Sequence, residues 1–85
     1  MKIKNRKNII KITDFADKSL LIVDDDNPLR ERLSRAMEKK GFLVTQAEGV
    51  KQGLAKANNS PPAFAVVDLR LNDGNGLELV KEIQK

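Results

Sequence analysis

Leu20-Leu21-Ile22-Val23-Asp24-Asp25-Asp26 sets four apolar residues directly against three consecutive carboxylates. A short run rich in Ile, Val and Leu reads as a strand buried on both faces. Three adjacent acids cannot continue it, because an unpaired buried carboxylate costs several kcal/mol. The strand therefore ends at Val23 or Asp24, with the acids at its carboxyl tip. A second stretch repeats the pattern, since Ala63-Phe64-Ala65-Val66-Val67 ends in Asp68. Two buried strands that end in carboxylates, each followed by a helical pattern, point to one acidic pocket.

Working outward, Asn27 and Pro28 read as the N-cap and first position of a helix. Leu29, Leu33, Ala36 and Met37 then recur on one face as an apolar stripe turned to a core. Arg30, Arg32, Arg35, Lys39 and Lys40 fall mostly elsewhere on the wheel, and Gly41 suits a left-handed C-terminal residue. Phe42 to Ala47 supplies a second strand. Val50, Leu54 and Ala57 mark a second helix that Gly53 weakens and that Asn58-Asn59-Ser60-Pro61-Pro62 stops. The third strand runs from about Ala63 to Asp68. Residues 72–76 form a turn cluster, and Leu77, Val80 and Ile83, with Leu79 beside them, begin a third helix.

The order β-α-β-α-β-α implies parallel pairing through right-handed crossovers. With helices on both faces, the simplest strand order is 2-1-3, which sets the first and third strands side by side. Their carboxyl ends form the crevice where open α/β sheets bind ligands. That topology predicts Asp24, Asp25 and Asp68 within a few ångströms of one another.

Eighty-five residues make at most one small domain, and 40% hydrophobic with 33% charged residues is ordinary globular composition. No apolar run approaches the roughly 20 residues that cross a bilayer. No apolar stretch of about 7–15 residues follows the basic N-terminus, which argues against a secretory signal. A cytoplasmic location fits this composition. Residues 1–18 carry six basic and two acidic side chains and residues 19–85 ten of each, so the net charge of +4 resides in the first eighteen. That segment reads as a solvated, flexible leader. The sharper alternative is a contact with nucleic acid or anionic lipid, although no aromatic residues are interleaved for stacking on bases.

The chain has neither cysteine nor histidine, so thiolate and imidazole chemistry are both excluded and any metal sits among oxygens. Two unit charges about 4 Å apart repel by about 4 kcal/mol at an effective dielectric of about 20. A cluster of three needs a neutralising partner, and Mg²⁺ is the natural one, since it takes oxygen ligands and only one or two direct carboxylates. Asp26 is read apart from this cluster, as an acid that faces solvent and caps the first helix, since it lies beside the helix N-terminus.

LLIVDDDNPLRERL followed by VVDLRLNDGNG resembles the receiver domain of two-component response regulators. The wording of AEGVKQGLA, PPAFAVVDLRL and DGNGLELV is similar to the RegA/PrrA/ActR type of redox-linked regulators. The likeness covers residues 19–85 and implies a flavodoxin-like receiver fold, here only its N-terminal part. It also implies that Asp68 is the phosphoacceptor for a sensor histidine kinase, upstream of transcriptional regulation. Asp25 would bind Mg²⁺ directly and Asp24 through water, with the Arg70 backbone carbonyl a further ligand. The Arg70 side chain is read as facing solvent. Asn72 stands where many receivers have proline, and Gly76 fits the family.

Receivers have five strands, and this sequence reaches only three. The Ser/Thr and Lys of the missing half, and any DNA-binding region, have no counterpart here. The expectation is a marginally stable signalling module, not an enzyme, that cannot run the usual switch and whose third strand offers an open edge for self-association. Two alternatives stay open at this point. One is a Mg²⁺-dependent phosphohydrolase with an aspartate nucleophile, using the D-x-D spacing of Asp24 and Asp26. The other is an inactive fragment acting only through its sheet edge.

Overall fold

The computed structural model describes residues 16–84. All but the last three residues of the expected leader therefore lie outside the described residues. Asp17 and Lys18 already belong to the fold: the Ser19 N–H and hydroxyl both donate to Asp17 Oδ1 (2.9 and 2.7 Å), and the Leu43 N–H donates to the Lys18 carbonyl.

In chain order the elements are β1 (Ser19–Val23), α1 (Asn27–Lys39), β2 (Leu43–Ala47), α2 (Val50–Asn59), β3 (Phe64–Val67), β4 (Arg70–Leu71), β5 (Gly74–Asn75) and α3 (Gly76–Ile83). β1 pairs in parallel with β2 on one side and β3 on the other, giving the expected order 2-1-3. Val23 stands opposite both Ala47 and Val67, so the three strands end level. This shared end places the acids that follow β1 and β3 on one rim.

β1 is buried as read, with Leu20, Leu21, Ile22 and Val23 all in the core. Strand alternation sends Leu21 and Val23 to one face, where they pack with Ala47, Ala57, Leu71 and Leu79. That face carries α2 and α3. Leu20 and Ile22 point to the other face, beneath α1. β3 departs from the expectation of a fully buried strand, since Val66 is 43% exposed. It is an edge strand among the described residues, and α1 lies over β1 and β2. An apolar groove of about 340 Å³ runs along this edge, between Phe64, Ala65, Val67 and Leu69 and the α3 residues Val80 and Ile83. None of Asp24, Asp25 and Asp68 lines it.

Three helical details correct the sequence expectations. The N-cap of α1 is Asp26, not Asn27: its carboxylate accepts the Leu29 N–H at 3.1 Å, and Pro28 sits in the first turn. The buried residues of α1 are Arg30 and Ser34; of the expected stripe Leu33 and Met37 are half-buried, whereas Ala36 and Leu29 (44%) are exposed. α1 sits toward β2, where Gln46 offers a polar partner to Arg30. In α3 the core residue is Leu79, fully buried, while Leu77 is half exposed. Gly53, which costs α2 helix propensity, is where Leu79 comes closest; a Cβ there would press on the Leu79 side chain and on Val23. Gly41 does adopt positive φ (102°) after α1, as its position required.

Candidate functional site

Each acid reaches the rim through a different local device. The Asp24 N–H makes the last rung to the Ala47 carbonyl at 3.1 Å, and the Asp68 N–H donates to the Val23 carbonyl at 2.9 Å. The chain then leaves the sheet. Asp24 Oδ1 accepts the Asp26 N–H (2.9 Å), Asp68 Oδ1 accepts the Arg70 N–H (3.1 Å), and Asp25 Oδ2 accepts the Asn72 N–H (2.9 Å). Each carboxylate thus has one oxygen bonded to a backbone N–H and a second without a hydrogen-bond partner among the described residues. Asp24, Asp25 and Asp68 each offer an oxygen within 4.8 Å of the others, and all three are partly buried.

The three acids expected from the sequence, Asp24, Asp25 and Asp68, lie together in the structure. Arg70 is exposed, and its backbone is held beside Asp68 by the N–H just described. It also opens β4, which pairs with β5 in a two-residue antiparallel ladder, Arg70 opposite Asn75 and Leu71 opposite Gly74. Residues 72–75 of the turn cluster are therefore the tip and return strand of a hairpin, and Gly76 opens α3. Asp26 lies outside the cluster, its carboxylate engaged as a helix cap. The D-x-D pair of Asp24 and Asp26 does not converge on one centre.

Gly76 closes the loop. Its N–H donates to the Leu69 carbonyl at 3.1 Å, and a Cβ there would run into the carbonyl oxygen of Asp68. Only glycine lets the start of α3 pass this close to the backbone of the acid. The side chain of Asn75 caps the same helix by accepting the Leu77 N–H at 2.8 Å.

Two side chains near the site were not singled out from sequence. Arg30 is buried behind Asp24, and no pattern marks a cation on a helix as buried until its partner strand is in place. The other is Asp73. Its carboxylate accepts the N–H of Val50 (2.7 Å) and of Lys51 (3.1 Å), capping α2 from a loop 22 and 23 residues away. The residue before α2, Gly49, makes room, since a Cβ there would strike the Asp73 carboxylate. Adjacent residues therefore tie the hairpin to two places, Asn72 to Asp25 and Asp73 to α2.

The two backbone N–H groups hold the Asp73 carboxyl below its ordinary range, and hydrogen bonds from Ser19 do the same for Asp17. A carboxyl depressed in the folded state stabilises fully above its unfolded pKa, and that stabilisation is lost as pH falls through the folded value. Urea midpoints followed by circular dichroism should therefore drop as pH falls below about 4. Asp73→Asn should flatten part of that slope and leave the part that Asp17 contributes. An unchanged slope would mean that Asp73 does not cap α2 in solution.

Comparison with known proteins agrees with this arrangement. Residues 20–85 match the family model described as the response regulator receiver domain. The chain is 56% identical over 70 residues to the photosynthetic apparatus regulatory protein RegA of Cereibacter sphaeroides, covering 82% of this chain and 38% of that protein. It is 57% identical over 68 residues to the acid tolerance regulatory protein ActR of Rhizobium meliloti, covering 80% and 35%. The chain thus spans well under half the length of these relatives. Among solved structures, a CheY-like receiver domain protein from Methanospirillum hungatei superposes with a TM-score of 0.77 at 33% identity, covering 81% of this chain and 55% of that one. A Burkholderia pseudomallei response regulator, crystallised with a phosphorylated aspartic acid, calcium ion and citrate, gives 0.75 at 33% identity, covering 79% and 39%. With a 2-1-3 parallel sheet, an acid pair after its central strand and a lone Asp after its third, the chain belongs to the response regulator receiver domain family.

Proposed function

We propose that this chain accepts a phosphoryl group on Asp68 from a sensor histidine kinase, with Mg²⁺ held at Asp24, Asp25, Asp68 and the Arg70 backbone carbonyl. The observation that carries the reading is the convergence of three carboxylate oxygens within 4.8 Å, delivered by two neighbouring strand ends. The donors are all oxygen, and each carboxylate retains an oxygen beyond the one bonded to the backbone, which suits a hard divalent cation. When bound, Mg²⁺ offsets the repulsion between an anionic nucleophile and an anionic phosphoryl donor.

The chain's own part is positioning. The Arg70 N–H holds one oxygen of Asp68 and so turns the other toward the rim. That oxygen forms the new O–P bond as the P–N bond of the phosphohistidine breaks, and the electron pair leaves on the imidazole, which is protonated there. The product is an aspartyl phosphate, a signalling state and not a turnover product. The phosphorylated aspartic acid of the Burkholderia regulator supports the same chemistry here. The named relatives RegA and ActR are regulatory proteins, which supports a place upstream of gene control in a longer protein. The open β3 edge and its apolar groove support self-association wherever that edge is left uncovered.

Intact mass after incubation with acetyl phosphate and Mg²⁺ tests the proposal. The expected result is a single acid-stable, alkali-labile phosphoryl adduct that does not form when the metal is chelated beforehand. No adduct on a folded chain, or one indifferent to chelation, would leave a receiver fold without the receiver reaction.

A further inference from the structure

Arg30 is the only buried charged side chain among the described residues, at 7% exposure. Each nitrogen of its guanidinium has a partner. Nη1 donates to the Asp24 backbone carbonyl at 2.7 Å, Nε donates to Gln46 Oε1 at 3.0 Å, and Nη2 lies 3.9 Å from Glu48 Oε1. The helical turn that carries it is pinned as well, since the Ser34 hydroxyl donates to the Arg30 carbonyl at 2.8 Å.

The position of the first bond matters. The Asp24 N–H makes the last rung to β2, and the chain turns off the sheet at the Asp24–Asp25 peptide. The donor that reaches the Asp24 carbonyl is the guanidinium, so Arg30 fixes the plane of that peptide. From there the Asp24 and Asp25 carboxylates set out.

We infer that Arg30 is a positioning residue for the acid pair, aiming both carboxylates at the metal position by clamping the Asp24 carbonyl to β2. This inference rests on the phosphoacceptor reading above. It makes a prediction opposite to that of a simple counter-charge. A cation whose only role was to offset the acids would compete with Mg²⁺, and removing it would tighten metal binding. A clamp works the other way, because outer partners that orient ligands are worth about tenfold or more in metal affinity. Lysine has one donor centre in place of a rigid fork and cannot reach a carbonyl and a side-chain amide in the same geometry.

The experiment titrates Mg²⁺ alone into the 85-residue chain and follows the amide resonances of Asp25, Asp68 and Arg70. The parent should bind saturably, and Asp25→Asn should lose that binding. Arg30→Gln and Arg30→Lys should both bind about tenfold more weakly, while Glu48→Gln, which removes only the long ion pair at the exposed rim, should stay within about twofold. Tighter binding in Arg30→Gln, or parent-like binding in Arg30→Lys, overturns the clamp. Gln46→Met keeps the guanidinium buried but frees its Nε end, and it serves if the Arg30 variants do not fold. Its weaker binding supports the inference and unchanged binding overturns it. A folded parent with no Mg²⁺ binding overturns the phosphoacceptor reading and this inference together, whereas a binding parent with indifferent Arg30 variants overturns this inference alone.

Discussion

Asp68→Asn is expected to abolish phosphoryl uptake completely while leaving the chain folded. Asparagine has nearly the same shape, and its side-chain oxygen can still accept the Arg70 N–H that Asp68 Oδ1 accepts at 3.1 Å. What it lacks is a nucleophilic carboxylate, so no aspartyl phosphate can form. The substitution also removes one of three clustered negative charges. Even at the dielectric of bulk water, two unit charges about 4 Å apart repel by about 1 kcal/mol. In metal-free buffer the variant should therefore be more stable than the parent by about that amount, and addition of Mg²⁺ should narrow the difference. Intact mass and paired urea melts, with and without Mg²⁺, read both effects. The same variant separates the receiver from a phosphohydrolase built on Asp24. Sustained turnover of a phosphomonoester by Asp68→Asn, abolished by Asp24→Asn, would transfer the chemistry to the first strand. Asp26, the second acid of that alternative, caps α1 and stands outside the cluster of Asp24, Asp25 and Asp68, which does not favour it.

The largest effect on stability is expected from Leu79→Ala. Leu79 is fully buried and packs among Leu21, Val23 and Ala57, against the surface that Gly53 leaves open on α2. Truncating a buried leucine costs roughly 2–5 kcal/mol, with the cavity term largest where neighbours cannot collapse. Here the neighbours are β1 and α2, both held by backbone ladders, so the upper half of that range applies. A single small core rarely supplies more than about 3–5 kcal/mol in all. Leu79→Ala should therefore leave the chain largely unfolded at room temperature, as seen by loss of far-ultraviolet ellipticity and collapsed amide dispersion. Leu77→Ala, two residues earlier in α3 and half exposed, should shift the melt only slightly. Similar losses from the two would mean that α3 does not dock through Leu79.

The loop that follows Asp68 links these two predictions. Gly76 passes against the Asp68 carbonyl and begins α3, while Asn72 and Asp73 of the same hairpin hold Asp25 and the start of α2. The acid that takes the phosphoryl group and the helix that carries Leu79 are therefore joined by a segment with little freedom. Loosening α3 should disturb the acid cluster even though Leu79 touches none of the three carboxylates.

Much of this was legible in one dimension. Four apolar residues meeting three acids required β1 to end where it does, because no strand interior holds such charges. The second apolar run ending in Asp68, with crossover lengths and handedness, was enough to place Asp24, Asp25 and Asp68 on one rim. Pro28, Gly41 and Pro61-Pro62 marked helix ends through local backbone chemistry. In each case the deciding interactions lie within a few residues, or follow from a chirality that every chain shares.

The tertiary structure alone decided the rest. Arg30 looked like one more solvent-facing cation, and its burial depends on where α1 settles over Gln46. Asp73 read as a turn residue and became the cap of a distant helix, and Gly53 read as a weakness and became the seat of Leu79. These outcomes depend on contacts between segments far apart in the chain, whose energy exists only once the sheet has brought them together. Local pattern specifies which residues prefer a helix, a strand or a cap, whereas packing determines which face of each element finds a partner.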